Sequence, residues 1–137
     1  MTIKTASEHR MHKRAGLMRA FFALRNSSDG FRTAWREESS FRQELIVFAV
    51  LAPCAFMLRV SPIERVILLI TVLLVLLVEL INSSIEAAID RISLEQHELS
   101  KRAKDCGSAA VTLALLICMV AWGGICIPLI MHWVGTR

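Results

Sequence analysis

Residues 66–81 form a run of sixteen in which Glu79 is the only ionisable side chain. Together with two further apolar stretches, this run defines segments 45–60, 63–89 and 109–134. A helix crosses a bilayer with about 20 apolar residues; segments 63–89 and 109–134 exceed this length, and 45–60 approaches it with Phe41 as an extension. Hydrophobic residues make up 55% of the sequence and are gathered in these segments. The chain is therefore predicted to be an all-α membrane protein with three transmembrane helices in a single domain.

The segment before the first span is polar and basic, and then becomes amphipathic. Residues 1–15 are predicted to be a disordered basic tail, and residues 16–137 a single membrane domain. Residues 16–44 place apolar and charged side chains on opposite faces at helical spacing, which is typical of a helix lying in the membrane interface. The Asn-Ser-Ser-Asp-Gly cluster at 26–30 predicts a turn within this surface helix.

Lysine and arginine are distributed unevenly among the segments that flank the spans. Thirteen of the sixteen lie before the first span or between the second and third, and three lie elsewhere. Because positive residues favour the cytoplasmic side, the N-terminus is predicted to be cytoplasmic and the C-terminus external. Membrane topology and anionic lipid account for the basic balance, so no nucleic-acid partner is predicted. The four cysteines include no Cys-x-x-Cys pair and are predicted to be free packing residues.

Polar residues recur at helical spacing where the second apolar run ends, at Glu79, Asn82, Glu86 and Asp90. At 3.6 residues per turn these four side chains project within about 80° of one another. An ionisable residue at membrane depth costs about 2.5–3.5 kcal/mol on insertion scales and usually has a function. Carboxylates one or two turns apart can hold a hard cation such as Mg²⁺. A carboxylate in an apolar setting is also a stronger base, and a structural pair with Lys or Arg remains an alternative.

Charged residues also stand at the cytoplasmic entrances of the other two spans. Lys104 and Asp105 precede the third span, and Lys104 is either a snorkelling lysine or a cation that neutralises transferring phosphate. Glu38 precedes the first span, where amphipathic surface charge is the default interpretation. The sequence contains no Walker loop, no Gly-x-Gly-x-x-Gly and no serine-hydrolase elbow.

Three strings, NSSDGFRTAWREESSFRQEL, VELINSSIEAAIDRI and AKDCGSAAV, occur in this order across the three spans. They resemble the prokaryotic diacylglycerol kinase family over about residues 19–134. The resemblance implies a homotrimeric membrane enzyme unrelated to soluble kinases. It also implies transfer of the γ-phosphate of ATP to the hydroxyl of diacylglycerol, with Mg²⁺, at the cytoplasmic face of the bacterial inner membrane. The residues alone predict three spans and an acidic cluster, but no kinase.

The motifs of the family also imply roles for individual residues. Glu79 matches the general base, and Glu38 and Glu86 match carboxylates that bind the metal and the nucleotide. Asn82 matches the asparagine between the base and the metal site. The remaining matches are the nucleotide-holding or phosphate-holding positions Arg19, Asp90, Lys104 and Asp105, and the substrate-side positions Gln43, Glu44 and Ser108.

Two other functions fit parts of the pattern. A kinase for another lipid alcohol, such as undecaprenol, would use the same fold. A small proton-coupled transporter would use Glu79 as its transport carboxylate. A transporter does not need Glu86 and Asp90 together with Lys104 and Asp105 at the next span, whereas a kinase does. A scaffold protein would leave the cost of Glu79 unexplained.

Overall fold

The computed structural model describes residues 6–92 and 97–135. These residues form four helices, namely α1 (Ala6–Glu37), α2 (Ser39–Met57), α3 (Pro62–Ile92) and α4 (Glu98–Gly135). The helices α2, α3 and α4 are each long and apolar enough to cross a membrane. The predicted all-α architecture with three membrane helices is therefore confirmed for the described residues.

Helix α1 forms one compact unit, and α2 to α4 form a second. The helix is continuous through residues 6–15 and 26–30, where the sequence predicts a disordered tail and a turn. The Ser27 hydroxyl donates a hydrogen bond of 3.0 Å to the carbonyl of Ala23, one turn earlier in the same helix. This polar side chain therefore bonds back along the helix instead of ending it. The predicted tail at 1–5 lies outside the described residues.

The break before the first span lies at Glu38 and not at residue 44, where the predicted surface helix ends. Glu38 has extended backbone angles, φ −103° and ψ 112°, and stands at the N-cap of α2. Residues 39–44 therefore belong to the first membrane helix. The Glu38 side chain makes no capping hydrogen bond, so its carboxylate does not cap the N-terminus of α2.

A short turn joins α2 to α3, and two sets of side-chain bonds fix it. The Ser61 hydroxyl accepts a 3.3 Å bond from the Glu64 amide, while the Ser61 amide donates a 2.7 Å bond to Glu64 Oε2. This is a capping box, and Pro62 at the first helical position suits it. Arg65 donates bonds of 3.0 and 3.2 Å to the carbonyls of Ala55 and Leu58, which are left without intrahelical partners at the end of α2. The two helices therefore form an antiparallel hairpin.

Helix α3 is the centre of the second unit and packs against both α2 and α4. Its buried side chains recur at helical spacing along one face, namely Leu68, Thr71, Val72, Val75, Leu76 and Glu79. The Trp122 indole of α4 donates a 3.2 Å hydrogen bond to the carbonyl of Leu68, which also accepts a 3.0 Å bond from the Thr71 hydroxyl. Trp122 thus joins two helices within the unit.

Helix α4 begins at Glu98, six or more residues before the predicted start near residue 104 or 108. The charged segment ahead of the third span is therefore largely helical, and residues 93–96 lie outside the described residues. Since α3 connects to α4 through a short segment, α4 runs antiparallel to α3 and parallel to α2. The N-termini of α2 and α4 consequently meet the C-terminal end of α3.

Candidate functional site

A groove of about 510 Å³ lies between α2, α3 and α4. At one end its walls are polar, with Glu79, Asn82 and Glu86 on α3. At the other end they are apolar. The other polar residues of the wall are Ser40, Gln43, Glu44 and Ser108, and the remaining lining residues are Val47, Leu51, Val72, Val75, Val111, Leu115 and Cys118. The groove therefore changes from polar to apolar along its length.

The directions of the helices explain this gradient. Polar residues come first in α2 and α4 and last in α3, so the antiparallel arrangement brings all three polar ends to the same level. The predicted stripe on α3 supplies the central wall, and its offsets of three and seven residues keep Asn82 and Glu86 on the side of Glu79. A ligand in this groove would meet carboxylates at one end and hydrocarbon at the other.

Glu79 is the most buried acid of the groove, with 4% of its surface exposed. It stands one turn beyond Val75 on the buried face of α3, where the apolar wall gives way to the polar one. The carboxylates of Glu38, Glu86 and Glu44 lie close enough to Glu79 for their negative charges to repel its own. Four acids from α3 and the start of α2 thus gather at or near the polar end of the groove. Such convergence is repulsive unless protons or cations accompany it.

Asn82 orients one of these acids. Its side-chain nitrogen Nδ2 donates a 3.0 Å hydrogen bond to Oε1 of Glu86, one turn further along α3. Among the described residues no group of three or more His, Cys, Asp or Glu side chains could hold a metal ion by itself. Mg²⁺ is usually bound through one or two carboxylates plus substrate phosphates and water, so Glu38 and Glu86 have the donor chemistry that this ion takes.

A cation stands beyond the polar end of the groove. Lys104 Nζ on α4 lies 2.6 Å from Oδ1 of Asp90, the last member of the α3 stripe. Both side chains are exposed, and such surface pairs contribute little to stability. Glu86 is also within Coulombic range of Lys104. The ammonium group is therefore held near the acids while it remains open to an anionic ligand.

Besides Glu38 and Lys104, which stand near the polar end, three residues singled out from the sequence do not line the groove. Asp90 is exposed beyond its end. Asp105 lines a separate surface pocket of about 330 Å³ with its α4 neighbours. Arg19 is exposed on α1, in the other unit.

The apolar wall of the groove and the close contact at Gly107 were not predicted from the sequence. Val47, Leu51 and Leu115 look like any other membrane-facing residue, and only the packing of three helices shows that they share a groove. Gly107 is buried where α4 meets Asn82. A signal for it did exist, since an isolated glycine within a helical pattern costs about 1 kcal/mol relative to alanine and can therefore indicate a packing requirement.

Comparisons with known proteins identify the family of the chain. The family model described as prokaryotic diacylglycerol kinase matches residues 25–126. A diacylglycerol kinase of Pseudomonas aeruginosa is 50% identical over 110 residues, which cover 80% of this chain and 89% of the relative. One from Haemophilus influenzae is 43% identical over 115 residues, which cover 84% of this chain and 98% of the relative. One from Escherichia coli K12 is 45% identical over 118 residues, which cover 86% of this chain and 94% of the relative.

The family model covers most of the chain, and each of these relatives is matched over most of its own length. The match spans α2, α3 and most of α4, and so includes every residue that lines the groove. The chain belongs to the prokaryotic diacylglycerol kinase family.

Proposed function

We propose that this chain transfers the γ-phosphate of ATP to the free hydroxyl of diacylglycerol and so forms phosphatidic acid at the membrane surface. The observation that carries the proposal is the gradient within one groove, where a buried carboxylate divides an apolar wall from an acidic one. Diacylglycerol has the same division, with acyl chains on one side of its hydroxyl and an aqueous co-substrate on the other. Family membership supports an ATP-dependent lipid kinase over a transporter or a scaffold.

Glu79 is the proposed general base. The hydroxyl of a lipid lies at the edge of the hydrocarbon, so a group that removes its proton must lie at that depth too. A general base must also be within hydrogen-bond reach of the proton that it takes. The position of Glu79, one turn beyond the apolar Val75, supports this role on the first condition. Glu44 and Ser108, on the facing walls, are proposed to orient the glycerol part of the lipid.

The phosphates of ATP are proposed to lie at the acidic end of the groove. Glu38 and Glu86 would hold Mg²⁺, which when bound supplies positive charge to the phosphate oxygens. Asn82 would keep the Glu86 carboxylate in the orientation that the metal requires. Lys104, held by Asp90, would neutralise charge that develops on the transferring group. Arg19 and Asp105 are proposed as peripheral nucleotide contacts on the family motifs alone, and Gln43, which also lines the groove, as a peripheral substrate contact.

The arrangement in the membrane is part of the proposal. Residues in α1 would lie along the cytoplasmic surface of the bacterial inner membrane, and three copies of the chain would assemble. The charge distribution supports the orientation, because thirteen of sixteen Lys and Arg residues flank the polar end of the groove or precede it.

The orientation predicts which reagents reach the C-terminus. A cysteine introduced at Thr136, in a variant without the four native cysteines, should react with an impermeant thiol reagent added to intact cells. A cysteine introduced in the same background at Glu98, which is exposed at the start of α4, should react only after the membrane is opened. The reverse pattern would place the acidic end of the groove on the outer face, where it could not meet cytoplasmic ATP.

The function itself is tested with the purified protein in bilayers. With MgATP and diacylglycerol we expect phosphatidic acid to form, at a rate that depends on the concentrations of both substrates. Undecaprenol supplied at the same mole fraction should be phosphorylated much more slowly. A faster reaction with undecaprenol would reassign the lipid substrate. Proton flux into vesicles without ATP, together with no phosphate transfer, would reassign the class.

A further inference from the structure

Helices α3 and α4 approach closely at the polar end of the groove, where Asn82 faces Gly107. The side-chain oxygen Oδ1 of Asn82 occupies the space where a Cβ at position 107 would stand, and that Cβ would lie only 3.3 Å from Cγ of Asn82. This oxygen is buried and has no hydrogen-bond partner among the described residues. Gly107 is therefore a position where a side chain as small as a methyl group would collide with a groove residue.

The two ends of the Asn82 carboxamide have different neighbours. Its nitrogen donates to Glu86 at 3.0 Å, while its oxygen rests against the bare backbone of Gly107. If the oxygen is displaced, the planar carboxamide turns as one body and the nitrogen moves with it. The distance between Asn82 and Glu86 thus depends on the absence of a side chain at position 107.

We propose that Gly107 is a positioning residue for the carboxylate of Glu86, and that it acts through the carboxamide of Asn82. The proposal rests on the proposed function, because it assigns Glu86 to the metal of that reaction. Groups that orient a metal ligand typically change metal affinity by about 10–100-fold when they are lost. Gly107 would thereby set how tightly the site takes a divalent cation with nucleotide, without touching either.

The sequence offers a matched control. Gly124 lies on the same helix, and a Cβ added there meets no other atom within 4 Å. Gly107→Ala and Gly124→Ala therefore make the same change in helix propensity, and only the former displaces Asn82. A general effect of alanine in α4 would appear in both variants.

The first measurement is independent of activity and metal. Asparagine occurs only at positions 26 and 82, so selective ¹⁵N-asparagine labelling gives two side-chain amide signals, and Asn82→Ala assigns them. A hydrogen bond to a carboxylate oxygen, such as the 3.0 Å bond from Asn82 to Glu86, shifts the donated proton downfield. We expect the Asn82 signal of the metal-free protein to move upfield in Gly107→Ala but not in Gly124→Ala, while the exposed Asn26 stays unchanged in both.

The second measurement is the binding of Mn²⁺ with a non-hydrolysable ATP analogue, followed by electron paramagnetic resonance. Gly107→Ala should weaken this binding about 10-fold or more in the otherwise native sequence. It should have little effect when position 82 is already alanine, because the group through which Gly107 acts is then absent. If Gly107→Ala alone does not fold, recovery of folding in the Asn82→Ala double variant would still demonstrate the collision.

Two results would overturn the proposal. One is an Asn82 signal that is the same in Gly107→Ala and in the native protein. The other is a loss of Mn²⁺ affinity that is equally large with alanine or asparagine at position 82. Failure of the lipid kinase assay would instead leave the first measurement intact, so the two proposals fail separately.

Discussion

Glu79→Gln is expected to lower the rate of phosphate transfer by about 10²–10⁴-fold, the usual contribution of a general base. Glutamine has nearly the same shape and volume as glutamate but cannot accept the proton of the lipid hydroxyl. Because Glu79 is buried among other carboxylates, removal of its charge relieves repulsion. The variant should therefore fold at least as well as the native protein, and the loss should appear in turnover and not in yield.

The matched control for this variant is Glu64→Gln, at the other end of α3. Glu64 belongs to the capping box with Ser61, and glutamine serves that motif as well as glutamate does. Turnover should be measured for both variants with saturating lipid and MgATP, with circular dichroism as the check on folding. If Glu79→Gln kept more than half of the native turnover, Glu79 would not be the base.

Glutamine at position 38 or 86 is expected to raise the Mg²⁺ concentration needed for half-maximal activity, or to abolish activity, to a similar degree at the two positions. The two residues are far apart in sequence, but both lie within Coulombic range of Glu79. ATP brings several negative charges towards these acids, and the approach is repulsive unless a divalent cation bridges phosphate and carboxylate. In the proposed shared site, loss of either carboxylate would remove one protein ligand from the same ion.

Glu37→Gln is the appropriate comparison, since Glu37 is exposed and immediately precedes Glu38. It should leave the Mg²⁺ titration unchanged. Magnesium titrations at fixed ATP on the three variants decide between a shared and an unshared site. Should Glu38→Gln titrate like the native protein while Glu86→Gln is inactive, the shared site is wrong and Glu38 is ordinary surface charge.

The polar wall on α3 could be predicted from the sequence because it depends on one helix alone. The offsets between Glu79, Asn82 and Glu86 fix their direction whatever surrounds them. Asp90 obeys the same rule and points the same way, yet it lies outside the groove. Whether Asp90 lines the groove depends on where α2 begins. The predicted surface helix ends at residue 44, six residues after the actual break at Glu38, so the sequence does not give this position correctly.

Contacts between helices were harder to foresee, since they depend on register and not on pattern. The family resemblance implies that Lys104 and Asp90 share a site, but no spacing in the sequence predicts the ion pair between them. The turn predicted at 26–30 failed for a local reason. Ser, Asn and Asp favour turns because their side chains bond to nearby backbone, but the same bonds can be made within a helix, as Ser27 does.

Packing within the chain shelters one face of α3, while most large apolar side chains of α2 and α4 remain exposed. Fluid lipid is as apolar as those side chains but imposes no shape on them. Over evolutionary time, lipid-facing positions should exchange Leu, Ile, Val and Phe freely, whereas the sheltered face of α3 cannot. The rate of divergence along α3 should therefore rise and fall with the 3.6-residue turn of the helix. An alignment of related sequences would then show, from this periodicity, which side of α3 faces protein.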